Sequence, residues 1–406
     1  MDLAFREGRV ARVLIIQAVM KHYRKPFFTQ LHRALMKDGI DLVVAYSDPN
    51  LTHAARNDGA ELPDVFGFKV KGYWLGNRLL YQPLWKQIAL ADVVIVGPEI
   101  KYLINPILLI MSVLRLKTVA FWGLGPNRHP DRSRLAEWFK EHFFTKVDWW
   151  FAYTASIAEY LRKKGMPVDR ITNVQNASDT AELRRLMSEI SDEEVARAKE
   201  TLTGTRDSLI GLYCGLIGEI KALPLLLETA RQVKRKCPTF HLVLIGNGPD
   251  RSWLENAIAN RPWIHYMGSK YGRESALYYK MSDVFLLAGT AGLAVVDSFA
   301  AGLPLLTTRL ETHPPEISYV VDGENGRLAP HDGEGFAETI LEVLSNTDLM
   351  ARLRAGARDS GYQYTMEAMV EKFRAGIKEC LTRYGASTRV GSPKLADPEA
   401  ESFLQR

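Results

Sequence analysis

Residues 287–328 read LAGTAGLAVVDSFAAGLPLLTTRLETHPPEISYVVDGENGRL. Gly289, Thr290, Ala291 and Gly292 carry little side-chain bulk, so backbone N–H groups there can approach an anion. The apolar run from Leu293 through Phe299 to Ala301 has helical character, and Gly302 with Pro304 ends it. LPLLTT then reads as a buried strand. Loop, helix, turn and strand in this order predict an α/β domain whose helix N-terminus faces a phosphate-bearing ligand.

The same pattern recurs around this stretch. LIGLYCGLIGE, HLVLIGNG, IHYMG and DVFLLAG precede LPLLTT with helical segments between them, so the second half predicts a parallel sheet. Small residues or a cation follow four of the strands, at Gly215 to Lys221, Gly246 to Gly248, Met267 to Ser269 and Gly289 to Gly292. In a parallel sheet these loops share one edge, where ligands of such folds sit. Lys221 opens a helix there and can neutralise a phosphate, while Asp297, one turn into its helix, can accept bonds from ribose hydroxyls.

The first half repeats the alternation. RVLIIQAV is followed by the loop MKHYRKP and by FFTQLHRALMKDG, with Phe28, Leu31 and Leu35 at helical spacing. DLVVAYS, ADVVIVGP, KTVAFWG and VDWWFAYT read as further strands of a second parallel sheet. Its rim loops are His22 to Lys25, Pro98 to Lys101 and Gly123 to His129. The chain of 406 residues is thus read as a first α/β domain over residues 1–180, a second over 181–365, a helix over 366–385 packing back on the first domain, and a mobile tail over 386–406.

The composition, 47% hydrophobic and 24% charged, is that of a soluble globular chain, and no run is long and apolar enough for a spanning helix. The N-terminal stretch lacks a secretory layout, and three widely separated cysteines fit a reducing cytoplasm. Residues 1–180 carry 25 Lys and Arg against 17 Asp and Glu, and the rest 27 against 30. A basic half beside a slightly acidic one suits an anionic surface or a phosphate-bearing partner, or is simply solvated surface. LIGNGP lacks the full Gly-x-Gly-x-x-Gly fingerprint, which argues against a dinucleotide oxidoreductase.

The ordered blocks CGLIGEIKALPLLLETA, LVLIGNGPD, IHYMGSKYGRESALYYKMSDVFLLAG, GLAVVDSFAAGLPLLTT and PPEISYVVDGENG resemble the donor half of family-four glycosyltransferases of the GT-B fold, over roughly residues 205–345. HYRKPFFTQL, FWGLGPN and FAYTASIAEYLRKKGMPVDRITNVQNASD are similar to members that build bacterial surface polysaccharides. The resemblance implies two Rossmann-like domains facing a central cleft. It also implies transfer of a hexose-type sugar from a nucleotide-diphosphate donor to a glycan or lipid-linked glycan acceptor, with no nucleic acid involved. The donor residues so implied are Gly215, Lys221, Gly246, Gly248, Gly268, Thr290, Gly292, Leu293, Asp297 and Glu316.

Two departures and one match stand out. The family's Arg and Lys pair on the diphosphate falls at Leu216 and Lys221, leaving Arg24 or Lys25 of the opposite domain to supply the second charge. Its two glutamates fall at Gly289 and Asp297, and Gly289 has no group to hold a sugar hydroxyl. Glu316 matches a family acid near the donor. These departures also admit a degenerate nucleotide-sugar-binding subunit, and the architecture admits an epimerase or hydrolase.

The reaction is expected to need no cofactor and no metal, because helix amides and cations stabilise the departing diphosphate. The nine histidines show no paired helical spacing, and there is no Asp-x-Asp run. If transfer is retaining, the resemblance implies a front-face displacement in which the leaving phosphate helps deprotonate the acceptor, whereas inversion needs a base. His129, His22, Glu99 and Asp131 are the rim candidates. Leu135, Trp138, Phe139, His142 and Phe143 share a helical face with cations nearby. That face either packs on the first sheet or touches the inner leaflet, which would make the protein peripheral on the cytoplasmic side.

Overall fold

A computed structural model of the chain describes residues 10–49, 59–76, 79–99, 101–125 and 143–385. His129, Asp131 and the helical face from Leu135 to His142 lie outside the described residues, as does the tail from 386.

The N-terminal sheet contains β1 (Ala11–Val19), β2 (Ile40–Ser47), β3 (Gly67–Lys69), β6 (Val93–Val96), β7 (Thr118–Gly123), β8 (Trp149–Ala152) and β9 (Ile171–Asn173), after a small hairpin of β4 (Tyr73–Leu75) and β5 (Leu79–Tyr81) is set aside. Its order is β3-β2-β1-β6-β7-β8-β9, and every pairing is parallel. The second sheet comprises β10 (Leu209–Cys214), β11 (Phe240–Ile245), β12 (Ile264–Tyr266), β13 (Val284–Leu287), β14 (Leu305–Thr308) and β15 (Gly326–Ala329). It runs β12-β11-β10-β13-β14-β15, again wholly parallel. In both sheets the order reverses beside the first strand, which opens a crevice beyond the carboxyl ends of the strands. The fold is α/β, with two Rossmann-like domains.

The strands form because their residues are apolar on both faces, as parallel sheets covered by helices require. β6, β7, β8, β13 and β14 are buried throughout. The chain passes from the first sheet to the second through residues 174–179. The helices Thr180–Ser188 and Asp192–Thr203 then pack against the helix Gly272–Met281 of the second half. It returns at residues 364–366 into the helix Met366–Tyr384, which lies along the helix Lys25–Lys37. Phe373 of that last helix stacks on Phe151 at 4.3 Å and meets Trp122 and Phe27 edge-on. Arg374 holds both Asp38 oxygens, a pairing that keeps the Asp38 carboxyl below its usual range.

Candidate donor site between the two sheets

The glycine loops after β10, β11 and β12 converge through their backbones. Gly215 N–H donates to the Ile245 carbonyl and Gly246 N–H to the Gly268 carbonyl, each at 2.9 Å. Gly246 has φ of +141°, and a Cβ there would lie 1.8 Å from the Gly215 carbonyl oxygen, so only glycine fits. A Cβ at Gly248 would lie 2.1 Å from the Ile217 carbonyl oxygen. These glycines keep the rim low and bare, which is what backbone recognition of a diphosphate needs.

Gly289 answers to a different neighbour. A Cβ at this position would meet the Lys221 carbonyl carbon at 2.4 Å and the Ile220 oxygen at 2.5 Å. The loop before the helix Leu223–Lys236 has closed onto it: both the backbone N–H and the hydroxyl of Thr290 donate to the Ile220 carbonyl. Lys221 Nζ donates back to the Thr290 carbonyl at 2.5 Å, and burial lowers its pKa. Ala222 takes up the left-handed conformation that this closure requires, at φ of +48°. The site therefore has no side chain at Gly289 and no space for one. His313, buried, completes the brace: its Nδ1 accepts from Ala291 N–H at 3.0 Å, which leaves Nε2 to donate to the Thr308 carbonyl at 2.7 Å.

Gly292 and Leu293 precede the helix Ala294–Ala300, and Asp297 faces the crossover segment from its first turn. Ser178 Oγ donates to Asp297 Oδ1 at 2.6 Å. Burial pushes the Asp297 carboxyl up to about 6, with the Ser178 bond pulling the other way. No ion pair to Asp297 occurs among the described residues. It is thus a desolvated acceptor fitted to hydroxyl donors.

Glu316 is held two residues earlier in the crossover. Asn176 Nδ2 donates to its Oε1 at 2.5 Å, and Asn176 Oδ1 in turn accepts from Arg24 Nη1 at 3.1 Å. The Arg24 guanidinium also donates to the Tyr153 hydroxyl and lies 4.7 Å from the Trp122 ring centroid. Burial raises the Glu316 carboxyl, opposed by the Asn176 bond, its own backbone N–H and the Arg24 charge. Tyr319, stacked on Tyr364 at 3.9 Å, donates to the carbonyls of Tyr153 and Asn176. Arg24 is therefore committed to an interdomain network in this conformation, and Lys25 is the exposed cation beside it.

The N-terminal rim places His22, itself exposed, in the turn His22–Arg24 shortly after β1. Glu99, exposed, folds over Gly97 beside Tyr102, in the loop after β6. Leu216, where a second cation was sought, is an exposed leucine whose carbonyl accepts from the Tyr213 hydroxyl. Asn176, Ser178, Tyr153, Trp122 and His313 were not among the sequence-derived candidates. Asn176 and Ser178 stand in the block NVQNASD, and two polar side chains in a short link between domains were the available signal.

Two sheets of this topology, with a backbone-lined rim on one and a crossover pinned between them, define a GT-B protein. Residues 208–346 match the family profile described as glycosyl transferases group 1. It is 26% identical over 203 residues to alpha-monoglucosyldiacylglycerol synthase of Acholeplasma laidlawii, covering 48% of each chain. It is also 26% identical over 189 residues to the lipopolysaccharide core biosynthesis glycosyltransferase LpsE of Rhizobium meliloti, covering 44% of this chain and 52% of that one. The chain spans about half the length of these curated relatives. Among solved structures, Anabaena HepE in complex with UDP superposes with a TM-score of 0.68 at 11% identity, over 91% of this chain and 99% of that one.

Proposed function

We propose that the protein transfers a sugar, of hexose type, from a nucleotide-diphosphate donor to a glycan or lipid-linked glycan in surface polysaccharide assembly. The observation that carries this reading is the group 1 profile match over residues 208–346, whose bare glycine rim lies beside the desolvated acceptor Asp297. The rim amides and Lys221 would hold the diphosphate once the Lys221 bond to Thr290 is exchanged for a phosphate oxygen. Asp297 would take the ribose, and Lys25, from the opposite rim, would bring the charge that Leu216 lacks. The acceptor would approach past His22 and Glu99, with His129 as a further base, and the chemistry would need no metal. The protein would work on the cytoplasmic side, at the inner leaflet.

A second reading, a nucleotide-sugar-binding subunit without transfer, is favoured by one observation: the backbone closure at Gly289 leaves nothing to hold the donor sugar. Thermal shift with UDP, GDP, ADP and their sugars separates the outcomes, since a specific donor stabilises the fold by mass action. Transfer to a lipid-linked or soluble acceptor, unchanged by a chelator, is expected. Donor stabilisation without transfer to any acceptor would favour the binding subunit, and no stabilisation by any nucleotide would overturn both.

A further inference from the structure

The helix Asn105–Val113 has the sequence NPILLIMSV, with no charged residue. Leu108 and Leu109 are buried in the N-terminal core, yet Ile107, Ile110 and Leu114, spaced by three and four, point outward. Ile110 is 58% exposed, Leu114 61% and Leu116 57%, and Val113 lies beside them. A helix that is apolar all round belongs in an apolar medium. The contrast with its neighbour is direct. The helix Ala155–Lys163 covers the same core with Ile157 and Leu161, but presents Glu159, Arg162 and Lys163 to water.

Charge identifies what the bare face meets. Residues 100–125 contain no acid, and Lys101, Arg115 and Lys117 fall among them. Arg115 is exposed between Leu114 and Leu116. Lys146 is exposed on the adjacent turn, whose carbonyl accepts from Ser112 of the apolar helix. A second copy of this chain docked by twofold symmetry would set this cationic rim against itself. An anionic lipid surface accepts the aliphatic side chains and the cations together. At nine residues the helix is too short to span a bilayer.

We propose that Ile107, Ile110, Val113, Leu114 and Leu116, flanked by Arg115 and Lys146, form a surface that docks the protein on anionic lipid. At its start, Asn105 Nδ2 donates to the carbonyls of Gly97 and Glu99. The surface thus begins at the rim where the acceptor is expected, so that a lipid-linked acceptor arrives from the plane on which the protein rests. Only this last placement rests on the acceptor reading; the docking surface itself does not.

The test is sedimentation of the full chain with phosphatidylcholine vesicles, with and without phosphatidylglycerol. Binding that requires phosphatidylglycerol is expected, and the double variant Ile110→Asp, Leu114→Asp should lose about tenfold or more in partitioning. Arg115→Glu should lose less, and both variants should keep the wild-type melting temperature because their side chains lie outside the core. Equal vesicle binding by wild type and double variant, or none by wild type, overturns the proposal. Self-association in solution that the double variant abolishes would assign the face to a second copy instead. Nucleotide thermal shifts, read in parallel, stand apart: vesicle binding without any nucleotide shift leaves this surface in place and removes the donor reading.

Discussion

Asp297 and Glu316 make an informative pair. Both are carboxyl groups of the C-terminal half, and both are gripped by the same crossover, by Ser178 and Asn176 respectively. Burial raises both, but the Arg24 charge acts on Glu316 and no cation appears among the influences on Asp297. Glu316 is therefore one end of a closed circuit reaching through Asn176 to Arg24, Tyr153 and Trp122. Asp297 ends on a hydroxyl that a ligand hydroxyl can replace. One crossover segment thus fastens the domains at one residue and leaves an exchangeable partner two residues on.

The comparison breaks most severely at Arg24. Arg24→Met should cost about 3 kcal/mol or more, since removing one member of a buried charged network leaves the rest uncompensated. A lowered urea midpoint of the N-terminal unfolding transition would register it. An unchanged midpoint would mean that the circuit is ornamental.

Next comes Gly289→Glu, which supplies the acid that the family resemblance implies at this position. Its Cβ would collide with backbone at Lys221 and Ile220 rather than with a movable side chain. A loss of about 1–3 kcal/mol is expected, read as a lower melting temperature, with no gain in donor affinity. A tighter donor complex with an unchanged melting temperature would show that the loop opens freely.

The smallest effect sharpens the Asp297 side. Its folded pKa, about 6, lies above the ordinary carboxylate value, so the folded state holds the proton more tightly. Its contribution is complete below the unfolded pKa and is lost as pH rises through about 6. Asp297→Asn should flatten the fall in stability across that window and leave the variant about 1–2 kcal/mol more stable than wild type at neutral pH. Urea titrations at a series of pH values measure this. Parallel curves for the two proteins would place the carboxylate in water.

The glycine-rich rim was legible because backbone closeness leaves a mark in sequence: Gly246 and Gly248 are glycines for want of any space at Cβ. The strands were equally legible, because burial on both faces demands unbroken apolar runs. The Arg24 circuit was not. It joins residues 24, 153, 176 and 316, and such separations leave no periodicity to read. The same holds for Lys221, which reads as a free phosphate ligand in the sequence and is bonded to the Thr290 carbonyl in the fold. The resemblance placed a family acid at Gly289, but only the geometry shows why this chain has none: the space belongs to the backbone of the preceding loop.

The helix Met366–Tyr384 comes last in the described chain, yet Phe373 fills the gap among Phe27, Trp122 and Phe151 in the first domain. On a ribosome, residues near the start would wait for those near the end before that aromatic cluster could close. The second domain carries no such debt, having its whole sheet in hand by Ala329. Synthesis would therefore complete the C-terminal half first and finish the opening half by closing its final helix beneath it.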